Sequence, residues 1–415
     1  MMKLKRIRII IFPFMILTVL LLLSSCGPKE RVAVSQLDTP GHHTYTGLKL
    51  LEFEKYSDAR REFKMATQLD VNYSKAYTGM ALVNISTGKL SAAADDLEKG
   101  LKTAQTGDEK LFVNVAAIRY HTARKSDQKW LESVKHHFQE AVSIDTQHAP
   151  AYYFMGLACE EALDFDQAAG MFDKVVQLNA GHIEDANKQL KFIKSVQRAN
   201  PTTAAGKRLA LKDALTRAEA AMLLMEELKI KDLYHKYLPK PAEEQIKEGE
   251  AVDASMIEVE KVAKEMEKMQ QFHSYMVLQE KEPVKLLAND IVLHPLKHYI
   301  EAVLETGVHG LENDPKGNFR PDEILSRGEY AIVLEDILIN VTGEKDLAAR
   351  YVNSKSLFPD VPLEMPYFNA IISVTSRGIM EAKNAKTGEF APLKSLSGVE
   401  ALQTIRKLKD DLKIE

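Results

Sequence analysis

The 415-residue sequence has little net charge and lacks the short motifs by which many enzymes are recognised. Its formal charge of −4 gives no electrostatic reason to expect nucleic acid as a partner. No H-E-x-x-H, G-x-S-x-G or G-x-x-x-x-G-K-[ST] pattern occurs, and the histidine pairs at 42–43 and 136–137 lack metal-ligand spacing. The sequence therefore predicts no enzyme, no cofactor and no metal site, and it favours surface positions for these histidines.

The apolar run from Ile9 to Leu23 is shorter than the ~20 residues that a membrane-spanning helix needs. Basic residues precede this run, and the segment Leu23-Ser24-Ser25-Cys26 closes it. This order resembles the signal peptide and lipobox of bacterial lipoproteins, which implies cleavage after residue 25 and acylation of Cys26. The alternative is an uncleaved N-terminal anchor helix.

The lipoprotein resemblance divides the N-terminus into a signal peptide at 1–25 and a lipidated tether at 26–41. Gly27 follows the cysteine, and in this family a residue other than aspartate there implies the outer membrane, facing the periplasm, of a two-membrane bacterium. With Cys26 acylated, Cys159 has no intrachain partner, which excludes a disulfide framework. We expect Cys159 to be a small buried apolar side chain.

A repeated spacing of small and aromatic residues runs through 42–183. Copies recur at an offset of 34 residues, except that 41 separate the second and third, which places an insertion near 103–110 or 122–129. The pattern resembles the tetratricopeptide repeat (TPR), which implies about four stacked helical hairpins rather than an unrelated helical bundle. The positions that carry the resemblance are Gly47, Ala59, Phe63, Ala81, Ala93, Phe138, Tyr152, Gly156, Ala168 and Phe172.

TPR arrays generally bind a peptide or protein in their concave groove. The resemblance therefore implies an unidentified protein or peptide partner, which would contact the first helix of each hairpin. The alternative is an array that serves as a rigid spacer. The candidate groove residues are Lys49, Asn84, Arg119 and Glu160.

A second repeat occupies the C-terminal part of the chain, where residues recur at an offset of 71. Each copy has the pattern of a helix, a G-x-F-x-P loop, and a second helix that begins L-S-x-x-E. Ser326 and Ser397 predict capping boxes with the glutamate three residues later, and Gly307 and Gly378 predict helix C-caps. A partial copy at 215–219, L-T-R-A-E, has the same helix start but lacks the loop.

These units resemble the S-layer homology (SLH) domain. The segment 358–362 matches the family's F-x-D-V-P, the segment 307–310 its glycine-bounded turn, and 215–219 its T-R-A-E helix start. With the TPR resemblance, this implies an all-α chain in which a helical-hairpin solenoid precedes an SLH-type helix-loop-helix bundle. The implied segments are a TPR array at 42–183, a degenerate SLH-like unit at 184–230, a charged helical insertion at 231–285, and SLH units at 286–340 and 356–410.

In the SLH family, three units surround a pseudo-threefold axis, and their clefts bind wall polysaccharide or modified peptidoglycan. The resemblance makes the helix-start arginines candidate ligands, because a guanidinium at a helix N-terminus can bind an anionic sugar. Gly398 replaces the arginine in the last unit, so at most two clefts are competent. The alternative is that the arginines form structural salt bridges. The candidate wall-ligand residues are Arg217, Arg327, Glu219, Glu329, Gly307, Gly310 and Asp360.

Together these patterns predict a non-catalytic envelope lipoprotein that tethers a membrane to cell-wall polymer while its TPR array recruits a protein. The alternative is a TPR lipoprotein that scaffolds or assembles an outer-membrane secretion, pilus or export complex. An enzyme acting on wall glycan has no motif-placed carboxylate pair to support it. An apolar stripe from Met256 to Met269 predicts a helix that packs on its own bundle or docks a partner helix. A helix over 184–199 would be shared by both repeat regions, so we expect no flexible linker near residue 200.

Overall fold

A computed structural model describes residues 30–126, 128–237 and 288–414. Regular structure in these ranges is helical, with no strand, which confirms the predicted all-α fold. No helix there is long and apolar enough to span a membrane. The signal peptide, Cys26, the Met256–Met269 stripe and most of the predicted insertion lie outside the described residues. The chain divides between Lys194 and Ser195 into two compact units, and each is described by itself.

The first unit consists of four helical hairpins followed by the start of a ninth helix. The first helices of the hairpins contact one another in chain order, as a TPR-like solenoid requires. The helix α9 continues without a break through the predicted shared segment. The helices are α1 (Pro40–Glu52), α2 (Tyr56–Leu69), α3 (Ser74–Ser86), α4 (Leu90–Thr103), α5 (Gly107–Arg124), α6 (Trp130–Ile144), α7 (Ala149–Glu161), α8 (Phe165–Leu178) and α9 (Ile183–Ala199).

Aromatic rings pack against glycines where these helices cross. A Cβ atom on Gly47 would lie 2.7 Å from the Phe63 ring, and one on Gly156 would lie 2.6 Å from the Phe172 ring. Both rings are fully buried, so the glycines are needed for the close approach of the helices. The other TPR-pattern residues are buried too, except Phe138 and Tyr152. These two are partly exposed, and they pack edge to face on each other with ring centroids 5.3 Å apart.

The third hairpin differs from the others in its first helix. The helix α5 has 18 residues, whereas α1, α3 and α7 each have 13. The connection from α5 to α6 spans 125–129, against three-residue turns such as 53–55. The extra residues therefore lie at the end of α5 and in its turn, which matches the second of the two predicted insertion points.

The second unit is built on three helices, α11, α14 and α16, that begin at equivalent points of the repeat. Its helices are α10 (Ala204–Ala210), α11 (Arg217–Glu227), α12 (Ile230–Tyr237), α13 (Lys297–Thr306), α14 (Arg327–Thr342), α15 (Phe368–Ser376) and α16 (Gly398–Leu412), with a 3₁₀ helix at Lys345–Ala349. The main-chain amides of three buried leucines close a ring at the helix starts. The bonds run from Leu215 to Leu396, from Leu396 to Leu325 and from Leu325 to Leu215, with N···O distances of 2.9–3.0 Å. This ring joins the three helix starts around a common centre.

The predicted helix caps form in most places. Complete capping boxes start α11, between Thr216 and Glu219, and α14, between Ser326 and Glu329. Gly307 is the left-handed C-cap of α13. The predicted box at Ser397 forms only in part, because the carboxylate of Glu400 pairs with Arg327 and Lys383 instead of the Ser397 amide.

Gly378 does not fill the predicted C-cap position of α15. Arg377 occupies that position, and Gly378 follows it with a left-handed φ of 69°. The conformation that requires glycine is therefore present one residue later than the pattern predicts.

Candidate functional site

A groove of about 680 Å³ lies in the first unit. The first helices of all four hairpins line it, together with His182 just before α9. One charged pair crosses it, from the Nζ atom of Lys75 to the carboxylate of Asp108. Its apolar wall includes Leu48, Leu51, Leu82, Leu111, Phe112, Val115 and Phe154. This geometry suits an apolar segment of another chain.

Of the four predicted groove residues, Arg119 lines the groove. Lys49 instead pairs with Glu52, with an Nζ···Oε2 distance of 2.8 Å. Asn84 is buried and donates to the carboxylate of Asp96, 2.8 Å away. Sequence could place these residues on first helices but could not decide which side of the helix faces the groove.

Arg119 lies at an aromatic part of the groove. Its guanidinium carbon is 4.7 Å from the centre of the Phe154 ring. His182 stacks on Tyr153 with ring centroids 4.5 Å apart and contacts Phe154 edge to face. Burial lowers the pKa of Arg119, and the interaction with Tyr153 acts in the opposite direction. Within the described residues, no carboxylate pairs with this guanidinium.

The two helix-start arginines of the second unit point inward. Arg217 is 5% exposed. Its Nε, Nη1 and Nη2 atoms donate to the carbonyls of Phe319, Gly310 and Glu312 at 2.8–3.0 Å. Its guanidinium also lies 4.9 Å from the Phe319 ring centre. Arg217 thus fastens the helix start of one repeat to the loop of the next.

Arg327 repeats this arrangement one unit later. It is 1% exposed and donates to the carbonyls of Phe390 and Glu381 at 2.8 and 2.7 Å. It forms an ion pair with Glu400, and its guanidinium lies 4.4 Å from the Phe390 ring centre. Burial lowers the pKa of Arg327 to about 10, so the side chain stays charged at neutral pH.

An aspartate holds the other side of each loop. The carboxylate of Asp360 accepts from the amides of Phe390 and Ala391 at 2.9 and 2.7 Å. Asp290 accepts from the amides of Phe319 and Arg320 at 2.9 and 2.7 Å. Asp290 was not among the predicted site residues, although its spacing from Asp360 nearly equals the repeat offset and could have revealed it.

The predicted wall-ligand residues all have intramolecular contacts. The carbonyl of Gly310 accepts from Arg217. Asp360 binds the amide of Phe390, and Arg327 binds its carbonyl. Glu219 and Glu329 cap their own helices. The predicted alternative of a structural salt bridge matches Arg327, whereas Arg217 binds main-chain carbonyls. A role in ligand binding stays a prediction for each of these residues.

Gly398 has a steric reason to replace the repeat arginine. A Cβ atom at this position would fall on the main-chain carbonyl oxygen of Leu209. The helix α10 lies there in place of the missing loop, and the amide of Gly398 donates to the carbonyl of Lys212 at 2.9 Å. This interface therefore has no room for an arginine.

A cleft of about 230 Å³ borders Arg327. Lys383 and Lys407 line it, and they pair with Glu400 and Glu381 respectively. Burial, followed by Arg327 and Lys394, lowers the pKa of Lys383. The cleft thus offers ammonium and carboxylate groups that can hydrogen-bond a polar ligand.

Two histidines predicted to be at the surface have internal contacts. His43 is half-buried between Glu62 and Asp38, with ring nitrogen to oxygen distances of 2.7 and 2.9 Å. His137 contacts the amide oxygen of Asn114 at 2.8 Å. Burial, followed by His121 and His136, lowers the pKa of His137 to about 4. No cluster of metal-ligating side chains occurs in the part of the chain that the structure describes.

Glu160, the fourth predicted groove residue, supports a pH-dependent prediction. Burial, followed by Glu161, raises its pKa to about 7, and its Oε2 atom has no hydrogen-bond partner in the described structure. A glutamate in an unfolded chain titrates near pH ~4.3, so the stability that the protonated form contributes is lost as pH rises through 7. Glu160→Gln should raise the free energy of unfolding at pH 8 by about 1–3 kcal/mol and by much less at pH 5.

Urea unfolding measures this change. It is followed by the fluorescence of Trp130, the single tryptophan, which lies in the hairpin before that of Glu160. The exposed Glu140→Gln variant is the control and should behave as wild type at both pH values. An equal effect of Glu160→Gln at pH 5 and pH 8 would contradict the assignment.

Parts of this chain are similar in sequence to known proteins, but no protein-family model matches it. It is 27% identical over 148 residues, 35% of its length, to Superkiller protein 3 of Schizosaccharomyces pombe. It is 32% identical over 109 residues, 26% of its length, to the Surface-layer 125 kDa protein of Lysinibacillus sphaericus. These matches span only 11% and 8% of the lengths of the two curated relatives.

Solved structures of TPR proteins also align with the chain. A thermophilic TPR protein of Thermus thermophilus aligns over 48% of this chain and 96% of its own, with 17% identity and a TM-score of 0.34. YrrB, described as a TPR protein with an unusual peptide-binding site, aligns over 39% and 92%, with 18% identity and a TM-score of 0.18.

Proposed function

We propose that this protein is a non-catalytic envelope lipoprotein that tethers a membrane to cell-wall polymer and recruits a protein partner. Acylated Cys26 would anchor the chain to the outer membrane, facing the periplasm. The C-terminal unit would bind peptidoglycan or wall polysaccharide, and the TPR-like groove would bind the partner. The ring of main-chain bonds among Leu215, Leu325 and Leu396 carries the proposal, because it joins SLH-like helix starts around one axis.

The recruiting half is supported by the groove of the first unit. An apolar wall from four successive hairpins offers a continuous surface to another chain, with polar groups at a few points. Arrays of stacked hairpins present such surfaces because each repeat contributes one strip of side chains.

The wall-binding half is supported by the sequence repeat and by the cleft beside Arg327. The identity of 32% over 109 residues with a surface-layer protein agrees with an SLH-like segment. Lys383 and Lys407 supply ammonium groups at the cleft, which can bind the hydroxyl and anionic groups of a wall polymer. Because Arg327 is buried and donates to Phe390, Glu381 and Glu400, these lysines are better contact candidates than the arginine.

Co-sedimentation of residues 27–415 with isolated sacculi tests the wall-binding half. Wild type should pellet with the sacculi, and the Lys383→Ala/Lys407→Ala variant should lose most of this binding. The control is Lys355→Ala/Lys386→Ala, which removes the same charge from exposed positions outside the cleft. Absence of wild-type binding would contradict the proposal, and equal binding by all three would move the site elsewhere.

A second candidate function is a scaffold for an outer-membrane secretion, pilus or export complex. The burial of Arg217 and Arg327 favours it, because both arginines then serve the bundle itself and leave the groove as the recruiting surface. Crosslinking in cells that enriches one membrane complex, with no dependence on an intact wall, would support this candidate over the tether.

A further inference from the structure

The groove of the first unit contains a cation, Arg119, that pairs with no carboxylate among the described residues. Arg119 lines the groove from α5, and Tyr153 is the group that offsets the effect of burial on its pKa. Among the described residues, the groove carboxylates form no ion pair with Arg119: Asp108 pairs with Lys75, Glu52 pairs with Lys49, and Glu54 is the third.

This arrangement is costly for the unoccupied groove. A guanidinium that loses part of its hydration without gaining a carboxylate is less stable than one in water. The contact with the Phe154 ring offsets some of that cost, but it uses no N–H donor. The donors of Arg119 can therefore serve an incoming anion, and a carboxylate matches them with two parallel hydrogen bonds.

The position of Arg119 along the groove indicates which part of a partner supplies the carboxylate. The groove extends to Leu48 and Leu51 of the first hairpin on one side, and to Phe154 and His182 on the other. A bound segment would therefore continue past Arg119 in both directions. An aspartate or glutamate within the segment satisfies this geometry, whereas a C-terminal carboxylate would end the chain there.

The groove residues beside Arg119 determine which ligand residues can flank that carboxylate. Leu111, Phe112 and Val115 precede Arg119 on the same helix, and Phe154 faces it from the next hairpin. Large apolar side chains on the ligand would bury these surfaces and exclude water from the ion pair.

We propose that the groove recognises an internal segment of a partner protein in which an aspartate or glutamate, bound by Arg119, is flanked by large apolar residues. This inference rests on the proposed recruiting function of the groove and adds the chemistry of the partner. Burial lowers the pKa of His182, which disfavours its charged form, so Arg119 is the cation at this end of the groove.

Selection from a displayed library of random peptides held between fixed flanking sequences tests the proposal on residues 27–415. Peptides enriched on wild type should share one acidic position with apolar neighbours. On Arg119→Gln the acidic preference should vanish while the apolar preference remains, and on Arg119→Glu a basic residue should replace the acid. Arg208→Gln, an exposed arginine outside the groove, is the control and should select as wild type does.

Binding measurements on one enriched peptide then give the size of the effect. Arg119→Gln should weaken it about tenfold, the cost of a lost charged hydrogen bond, and the peptide with glutamine in place of its acid should show the same loss. Far-UV circular dichroism and Trp130 fluorescence check that the variants fold.

Three outcomes would overturn this inference. An acidic preference unchanged in Arg119→Gln, enrichment of apolar peptides without an acid, or success only with a library that has free C-termini would each do so. Failure to enrich any peptide on wild type would instead overturn the recruiting function on which the inference rests, so the two failures are distinguishable.

Discussion

Replacing Arg327 with alanine should destabilise the second unit by about 3–5 kcal/mol. The substitution leaves the carbonyls of Phe390 and Glu381 without their donor and leaves Glu400 without its main counter-charge. It also removes the guanidinium from the Phe390 ring. Hydrogen exchange of α14 and α16 should accelerate strongly, while α5 and α6 of the first unit exchange as in wild type.

Two variants show whether this effect belongs to the contacts of Arg327. Arg327→Lys keeps the charge but cannot reproduce the fork of donors, so its loss should be intermediate. Arg208→Ala removes an exposed arginine of the same unit and should change exchange little. If Arg327→Ala were as stable as wild type but lost binding to sacculi, the arginine would be a ligand and our structural assignment would be wrong.

Gly398→Ala should cost about 3 kcal/mol or more, although alanine is normally the better helix former. The added Cβ atom would meet the carbonyl oxygen of Leu209, a main-chain atom that cannot rotate away. Relieving the clash would shift the start of α16 and break the bond from the Gly398 amide to Lys212. Urea unfolding followed by far-UV circular dichroism should show an earlier transition for the second unit.

The matched comparison is Gly170→Ala, in the middle of α8. A Cβ atom there meets no other atom within 4 Å, so this variant should gain about 0.5–1 kcal/mol from helix propensity. A Gly398→Ala chain that is as stable as wild type would show that α10 does not pack against the start of α16 as described.

Sequence spacing predicted the hairpin array because packing in a solenoid is local. Phe63 contacts Gly47 of its own hairpin and Gly79 of the next, so the chemistry that fixes these contacts recurs at short offsets along the chain. The third hairpin was harder to place, since extra residues in α5 shift the register without changing the pattern around them.

The direction of the helix-start arginines could not be predicted in the same way. An arginine at the first position of a helix can face a cleft or the interior, and the choice depends on a loop far away in sequence. Arg217 binds the carbonyl of Phe319, 102 residues later. The partial cap at Ser397 also depends on a residue far away in sequence, because Glu400 pairs with Arg327 and not with the amide of its own helix start.

The histidine pairs were misjudged for a related reason. We predicted that both histidines of each pair would be exposed, but adjacent positions on a helix point in different directions. His42 and His136 are exposed as expected, whereas His43 and His137 turn toward neighbouring helices and find polar partners there.

The measurement that tests the tether most directly is the capture of lipid by cell wall. The full-length acylated chain is reconstituted into fluorescent liposomes and mixed with isolated sacculi, which are then pelleted at a speed that leaves free liposomes in solution. We predict that the lipid fluorescence pellets with the sacculi, and that either Cys26→Ser or Lys383→Ala/Lys407→Ala abolishes this capture. Liposomes that stay in solution, although mass spectrometry shows an acylated Cys26, would contradict the claim that this protein joins a membrane to the wall.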